Sequence, residues 1–192
     1  MANFKLYMLL LGCKPAGRYT EQHDVFFGIA ASLKELVPQI NAAWPEAKGN
    51  IHIDAWREIT SVNGYDVSVS EKTPHIGTPD ARALFFLNLG GYKPGEFEEF
   101  HYKMIVAAKD ESEAIQLAKQ TAFYKHTGFK GAASHIDDKY SVDVDDVYAL
   151  ASILPAACKD KYTITLTRQE PPTAEDEFHL GYLQPWKIKD CD

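Results

Sequence analysis

Leu6-Tyr-Met-Leu-Leu-Leu-Gly12 is a continuous apolar run that stops at a glycine, and Leu84-Phe-Phe-Leu-Asn-Leu-Gly90 repeats it. Extending both segments in step carries Leu6–Glu35 onto Leu84–Glu113 without a gap. Identical residues then coincide at Leu9/Leu87, Gly12/Gly90, Gly17/Gly95, Glu21/Glu99, His23/His101, Ala30/Ala108 and Glu35/Glu113. Further along, His52-Ile53-Asp54 falls on His135-Ile136-Asp137, and Tyr65–Pro74 falls on Tyr162–Pro171. The chain reads as one unit written twice.

Apolar runs of this length between glycines read as central strands covered on both faces. Lys5 followed by such a run and Cys13 also has the outline of a short lipoprotein signal. The second copy is internal and cannot be a signal, so the strand reading is preferred. A Gly- and Pro-containing connection follows, then a second strand, residues 23–31 or 101–108. Val25, Phe27 and Ile29 share a face in the first copy. Phe100, Tyr102, Met104 and Val106 make the opposite face the richer one in the second, which predicts different burial of the two strands.

Ser32-x-x-Glu35 and Asp110-x-x-Glu113 both have the form of a capping box and mark helix starts. Leu33, Leu36, Val37, Ile40 and Trp44 form a helical stripe behind the first, and Ala114, Ile115, Ala118 and Ala122 behind the second. Pro38 should kink or shorten the first helix, and Pro45 should end it. Asn63-Gly64 between extended runs predicts a type I′ hairpin. In the second copy extra residues open that hairpin. There Val147, Leu150, Ala151 and Leu154 stand at helical spacing, which predicts an inserted helix over 145–154 ending at Pro155.

The expected fold is α+β. Two tandem β-β-α-β-β repeats, residues 1–76 and 82–172, pack together about a pseudo-twofold axis, with mostly antiparallel or mixed sheet. Residues 173–192 form a tail that docks on the body, because Phe178, Leu180, Tyr182, Leu183 and Trp186 are too apolar for a free end.

These elements resemble a bacterial family known as domain of unknown function 1543. The resemblance rests on the Leu-rich strand ending in Gly-Gly, the Glu-x-His that opens the next strand, the Ser/Asp-x-x-Glu helix start and the downstream His-x-Asp. Leu84–Asp143 is the closer half; the first half departs by having Cys13 where Gly91 stands. The resemblance implies a bacterial protein of two-copy architecture. It implies no activity.

The hydrophobic fraction of 45% and charged fraction of 24% are ordinary for a globular protein. A net charge of −7 argues against nucleic-acid partners. No apolar stretch approaches the ~20 residues of a membrane span. Three cysteines at wide spacing give neither a disulfide framework nor a thiolate zinc ribbon, and fit a reducing, cytoplasmic setting.

The candidate chemistry lies in two recurring pairs, Glu21/His23 with Glu99/His101, and His52/Asp54 with His135/Asp137. At i, i+2 both members share a strand face, and a carboxylate beside an imidazole fixes its tautomer and raises its basicity. If the second and third strands lie together, one unit gathers two His and two carboxylates, a donor set for zinc, manganese or iron. The competing reading is structural and is preferred on sequence alone: Glu-x-His ties down the glycine-rich loop, and His-x-Asp ends a strand. The second copy is the better site candidate, because Lys103 shares a strand face with His101.

Phosphate cradling is excluded by the lack of GxxxxGK[ST] and of a following helix. Nucleophilic serine chemistry lacks a G-x-S-x-G elbow. Asp137, Asp138, Asp143, Asp145 and Asp146 lack the calcium-loop spacing and read as a solvated loop and helix N-terminus. The leading expectation is a non-catalytic binding or protein-interaction module, with a small molecule or a protein as partner and no cofactor assignable. The alternatives are a small metal-dependent or acid-base hydrolase or lyase using these pairs, and, more weakly, an immunity-type inhibitor of a basic toxin.

Overall fold

A computed structural model describes residues 3–72, 82–92, 96–126, 143–171 and 174–189. The strands are β1 (Lys5–Cys13), β2 (Gln22–Ala30), β3 (His52–Glu58), β4 (Ser61–Val62), β5 (Tyr65–Glu71), β6 (Ala83–Tyr92), β7 (Glu99–Ala108), β8 (Asp143–Ala149), β9 (Tyr162–Arg168) and β10 (His179–Leu183). The α-helices are α1 (Val37–Ala43), α2 (Glu111–His126), α3 (Leu150–Ile153) and α4 (Ala156–Lys161). The fold is α+β, with antiparallel strands in three sheets and few helices. It divides into two compact units, Met1–Ile76 with Ile153–Asp192, and Gly77–Ser152. Residues from Ile153 onward thus group with the first unit, whereas the repeat placed those up to 172 with the second.

In the first unit the sheet order is β10-β3-β1-β2. The apolar run is the inner strand β1, antiparallel to both β2 and β3. Tyr7, Leu9, Leu11 and Cys13 point to one face and pack with Phe26, Ala30, Leu36, Ile40 and Ile53. The other face is buried too, at Leu6, Phe27 and Ile29. This double burial is why the run carries no alternation. A 3₁₀ turn at Lys34–Leu36 leads into α1, with Pro38 in its first turn, where the missing amide costs no hydrogen bond. Asn63 and Gly64 take positive φ, as a type I′ turn requires, and close β4 onto β5. β5 then pairs with β9.

The second unit has the order β7-β6-β8, again with the apolar run in the middle. Phe85, Leu87 and Leu89 pack with Met104, Val106 and Ala108 and with Ala114 and Ala118 of α2. The second strands do not bury different faces. Phe26 and Ala30 of β2 and their counterparts Met104 and Ala108 of β7 all face the helix-covered core. The opposite faces, Phe27 with Ile29 and Ile105 with Ala107, are also buried.

Residues 145–149 are strand, not helix; the helix begins at Leu150. The stripe overreaches because Val147, still in the strand, faces the core three residues before Leu150, where the helix begins; β8 also carries a β-bulge. Asn88 pairs with Asp146 and Leu89 with Val144, so Asp145 is an extra residue. Val144 and Val147 then both reach the core although they are three residues apart. β3 has the same bulge: Leu10 pairs with Ala55 and Leu11 with Ile53, leaving Asp54 over.

The C-terminal segment is held by specific bonds more than by its large apolar groups. The Asp176 carboxylate accepts from Thr60 N (2.9 Å), Thr60 Oγ1 (2.7 Å) and Ser61 N (3.2 Å). β10 pairs with β3, His179 stacks on Trp56 at 3.9 Å, and Ile188 is buried. Phe178, Leu180, Tyr182 and Trp186 remain largely exposed. Among the described residues no helix is long and apolar enough to cross a membrane.

Candidate metal centre

Register places the first site. Gly12 on β1 faces both His23 on β2 and His52 on β3, so the two imidazoles stand side by side across three strands. Glu21 immediately precedes β2 and projects with His23. Asp54, the bulge residue, turns its carboxylate onto the same cluster. His23 Nε2 lies 3.6 Å from Glu21 Oε2 and 3.3 Å from Asp54 Oδ2. His52 Nε2 lies 3.2 Å from Glu21 Oε1 and 3.3 Å from Asp54 Oδ2. Donor atoms of Glu21, His23 and His52 all fall within 4.8 Å of one another.

The glycine is what makes the cluster possible. A Cβ at position 12 would collide with His52 Nε2 and sit 2.6 Å from Asp54 Oδ2. Gly12 is therefore kept for close approach of side chains. His52 is buried and packs against the Tyr182 ring at 4.5 Å, while Glu21 and His23 are about half exposed. The cluster has a closed floor and an open mouth at the end of the long loop.

Asp54 Oδ2 is buried and has no hydrogen-bond partner. A buried carboxylate oxygen without a donor is costly unless a cation faces it. Ligands held about 2.0–2.1 Å from a tetrahedral metal lie about 3.3–3.4 Å apart. The two distances from the imidazoles to Asp54 Oδ2, 3.3 Å each, match that edge length, while those to Glu21 run to its two different oxygens at 3.6 and 3.2 Å. With both histidines neutral, Glu21 and Asp54 supply two negative charges, which a divalent ion would balance.

Cys13 ends β1 beside the cluster but is buried. Burial, with the Glu21 carboxylate adding to it, pushes its thiol up, away from a reactive thiolate.

The second unit repeats part of this arrangement. Gly90 faces His101 on β7 and Asp143 on β8. Donor atoms of Glu99, His101 and Asp145 lie within 4.8 Å of one another, with His101 Nε2 3.5 Å from Asp145 Oδ2. Asp143 and Asp145 thus occupy the positions that His52 and Asp54 hold in the first unit. His135 and Asp137, matched to that pair by their His-x-Asp string, lie outside the described residues. Asp145 was missed because the acidic run reads as loop and helix start. Its signal is a bulge aspartate one residue beyond an Asp-Val pair.

The class of protein defined here is an α+β fold whose sheets end in His–carboxylate clusters. A family model described as Domain of Unknown Function (DUF1543) matches residues 18–69, a segment that holds Glu21, His23, His52 and Asp54. The match falls in the first half, whereas the motifs pointed to the second as the closer one. The crystal structure of a protein Il1583 from Idiomarina loihiensis is similar at a TM-score of 0.61 and 21% identity, over 94% of this chain and 97% of that one. At that identity the likeness is one of fold. Comparison with curated proteins gives no match.

Proposed function

We propose that this protein binds a first-row divalent metal of the zinc class through Glu21, His23, His52 and Asp54. The observation that carries the reading is Asp54 Oδ2, buried, without a hydrogen-bond donor, and 3.3 Å from two imidazole nitrogens. A purely structural network would have Glu21 and His23 holding the loop amides. Their side-chain contacts among the described residues run instead to each other and to His52 and Asp54. Two imidazoles with carboxylate oxygen suit zinc, iron(II) or manganese, and the order of intrinsic affinities favours zinc among these. The half-exposed side of Glu21 and His23 leaves room for a water or a ligand on the ion. Binding therefore comes first in this reading, and metal-assisted hydrolysis is its catalytic extension.

The test is chelation of untagged protein followed by calorimetric titration with Zn2+, and with Co2+ for its coordination-sensitive absorption. One equivalent should bind at the first site, and His52→Ala and His23→Ala should each abolish it. Zn2+ binding that survives both substitutions would refute the reading.

We also infer that the two halves are copies of one unit. β1/β2 and β6/β7 have the same register, with Leu6 opposite Ile29 and Leu84 opposite Ala107. Both third strands carry the bulge at the same place. In the β5–β9 pair Ser68 faces Thr165, its own counterpart, so the two copies of this strand meet about a local twofold. The cysteines Cys13 and Cys158, free and buried, support a reducing compartment.

A further inference from the structure

We propose that Glu99, His101 and Asp145 form a second cation site, selective for a harder ion than the first, of the manganese class. The inference goes beyond the zinc-class site and rests on the second unit's own geometry. Three donors from two strands and a bulge converge within 4.8 Å, and one is an imidazole, so the group is more than an acidic patch. The backbone is cut away to admit it. A Cβ at Gly90 would collide with Asp145 Oδ2 and lie 2.9 Å from its Cγ. On the same face of β6, one pair along, Asn88 Oδ1 is buried without a hydrogen-bond donor, although Asn88 Nδ2 donates to Asp146 Oδ2 at 3.3 Å.

The donor chemistry differs in a defined way. Register puts Asp143 where the first unit has His52. The second imidazole is thus replaced by a carboxylate-bearing residue. One nitrogen with the two carboxylates of Glu99 and Asp145 moves the preference toward manganese and magnesium, and away from the nitrogen-rich set that favours zinc. His101 and Asp145 are each about one-third exposed, which leaves the ion in contact with water, as such ions require. The two units would hold different metals on one backbone plan, with the change made at a single register position.

The experiment loads metal-free protein with one equivalent of Zn2+ and then titrates Mn2+, reading free Mn2+ by its six-line electron paramagnetic resonance spectrum. The expected result is one further equivalent bound. His101→Ala and Glu99→Gln should each weaken it by at least ~10-fold and leave the first Zn2+ equivalent in place. Both residues are exposed at the sheet end, and unchanged circular dichroism would show that the variants fold. No Mn2+ uptake by the Zn2+-loaded protein, or uptake indifferent to both substitutions, overturns the proposal. The first site fails separately, by Zn2+ binding that ignores His52→Ala and His23→Ala.

Discussion

Replacing Gly12 by alanine adds a methyl group where His52 Nε2 lies, with Asp54 Oδ2 beside it. The backbone there tolerates a side chain, so the cost falls on the cluster. His52 is buried and cannot swing clear without opening the sheet end. Gly12→Ala should lower Zn2+ affinity by about 10–100-fold, the range for groups that position ligands. Calorimetry checks it; unchanged affinity would mean that His52 does not ligate. Much at this scale was legible in the sequence. The shared strand face of Glu21 and His23, and of His52 and Asp54, follows from their spacing, and Gly12 stood out by recurring. Two things were not legible. Nothing local says that Gly12 sits between the two histidines, because register is a long-range property. His135 and Asp137 lie outside the described residues, and strand register pairs Gly90 with Asp143 as it pairs Gly12 with His52, a correspondence that no string match reveals.

The helix starts show what local signals can deliver. Glu113 accepts from Lys109 N (2.7 Å) and from Arg82 Nη1 (2.8 Å), and Asp110 Oδ1 accepts from Glu113 N (2.8 Å). Glu35 accepts from Ala31 N at 3.2 Å. Both glutamates thus reach back to the amide one residue before the expected N-cap, Lys109 and Ala31, not to the N-cap amide of a capping box. Glu35→Ala should destabilise by about 0.5–1 kcal/mol, read from the urea midpoint. The Lys109 amide first, and then Arg82, hold the Glu113 carboxyl below its usual 4.5. A lowered folded value means that this carboxylate stabilises above the unfolded value and stops doing so as pH falls through the folded one. The gap in melting temperature between the parent and Glu113→Ala should therefore be open at neutral pH and close in acid; a constant gap would show that charge is not the cause. Asp176 is a stronger lock, with its side chain 1% exposed and three donors on Oδ1. Asp176→Ala should cost about 1.5–3 kcal/mol, the scale for hydrogen bonds to a charged group, and should speed proteolysis after residue 171. The end of β8 reads as helix because Val147 faces the core three residues before Leu150, the first residue of α3. β10 was missed because Gly181 and a proline-rich approach hide a strand.

At the scale of the whole molecule the first site joins the β1–β2 connection to the start of β3, about thirty residues further along the chain. Metal binding should therefore act on the stability of the first unit, since an ion that binds only the folded chain shifts the equilibrium toward it. At free Zn2+ of 100 times the dissociation constant the gain is about 2.7 kcal/mol. For a chain of this length that corresponds to a rise in melting temperature of roughly 5–10 °C. His52→Ala should remove the rise and leave the metal-free melting temperature lower by less, because a buried imidazole is lost but so is the need to face Asp54 with a cation. Hydrogen exchange then locates the effect. Zn2+ should protect amides in 5–30 and 51–58, where the ligands and their strands lie, more than those in 83–108. A shift spread evenly over both units would mean that Zn2+ acts on the surface at large, and equal protection in the His52→Ala variant would remove the centre from the account. β1 is the inner strand between β2 and β3, so added protection of its amides requires that the strand trio, not a fraying edge, be held by the ion.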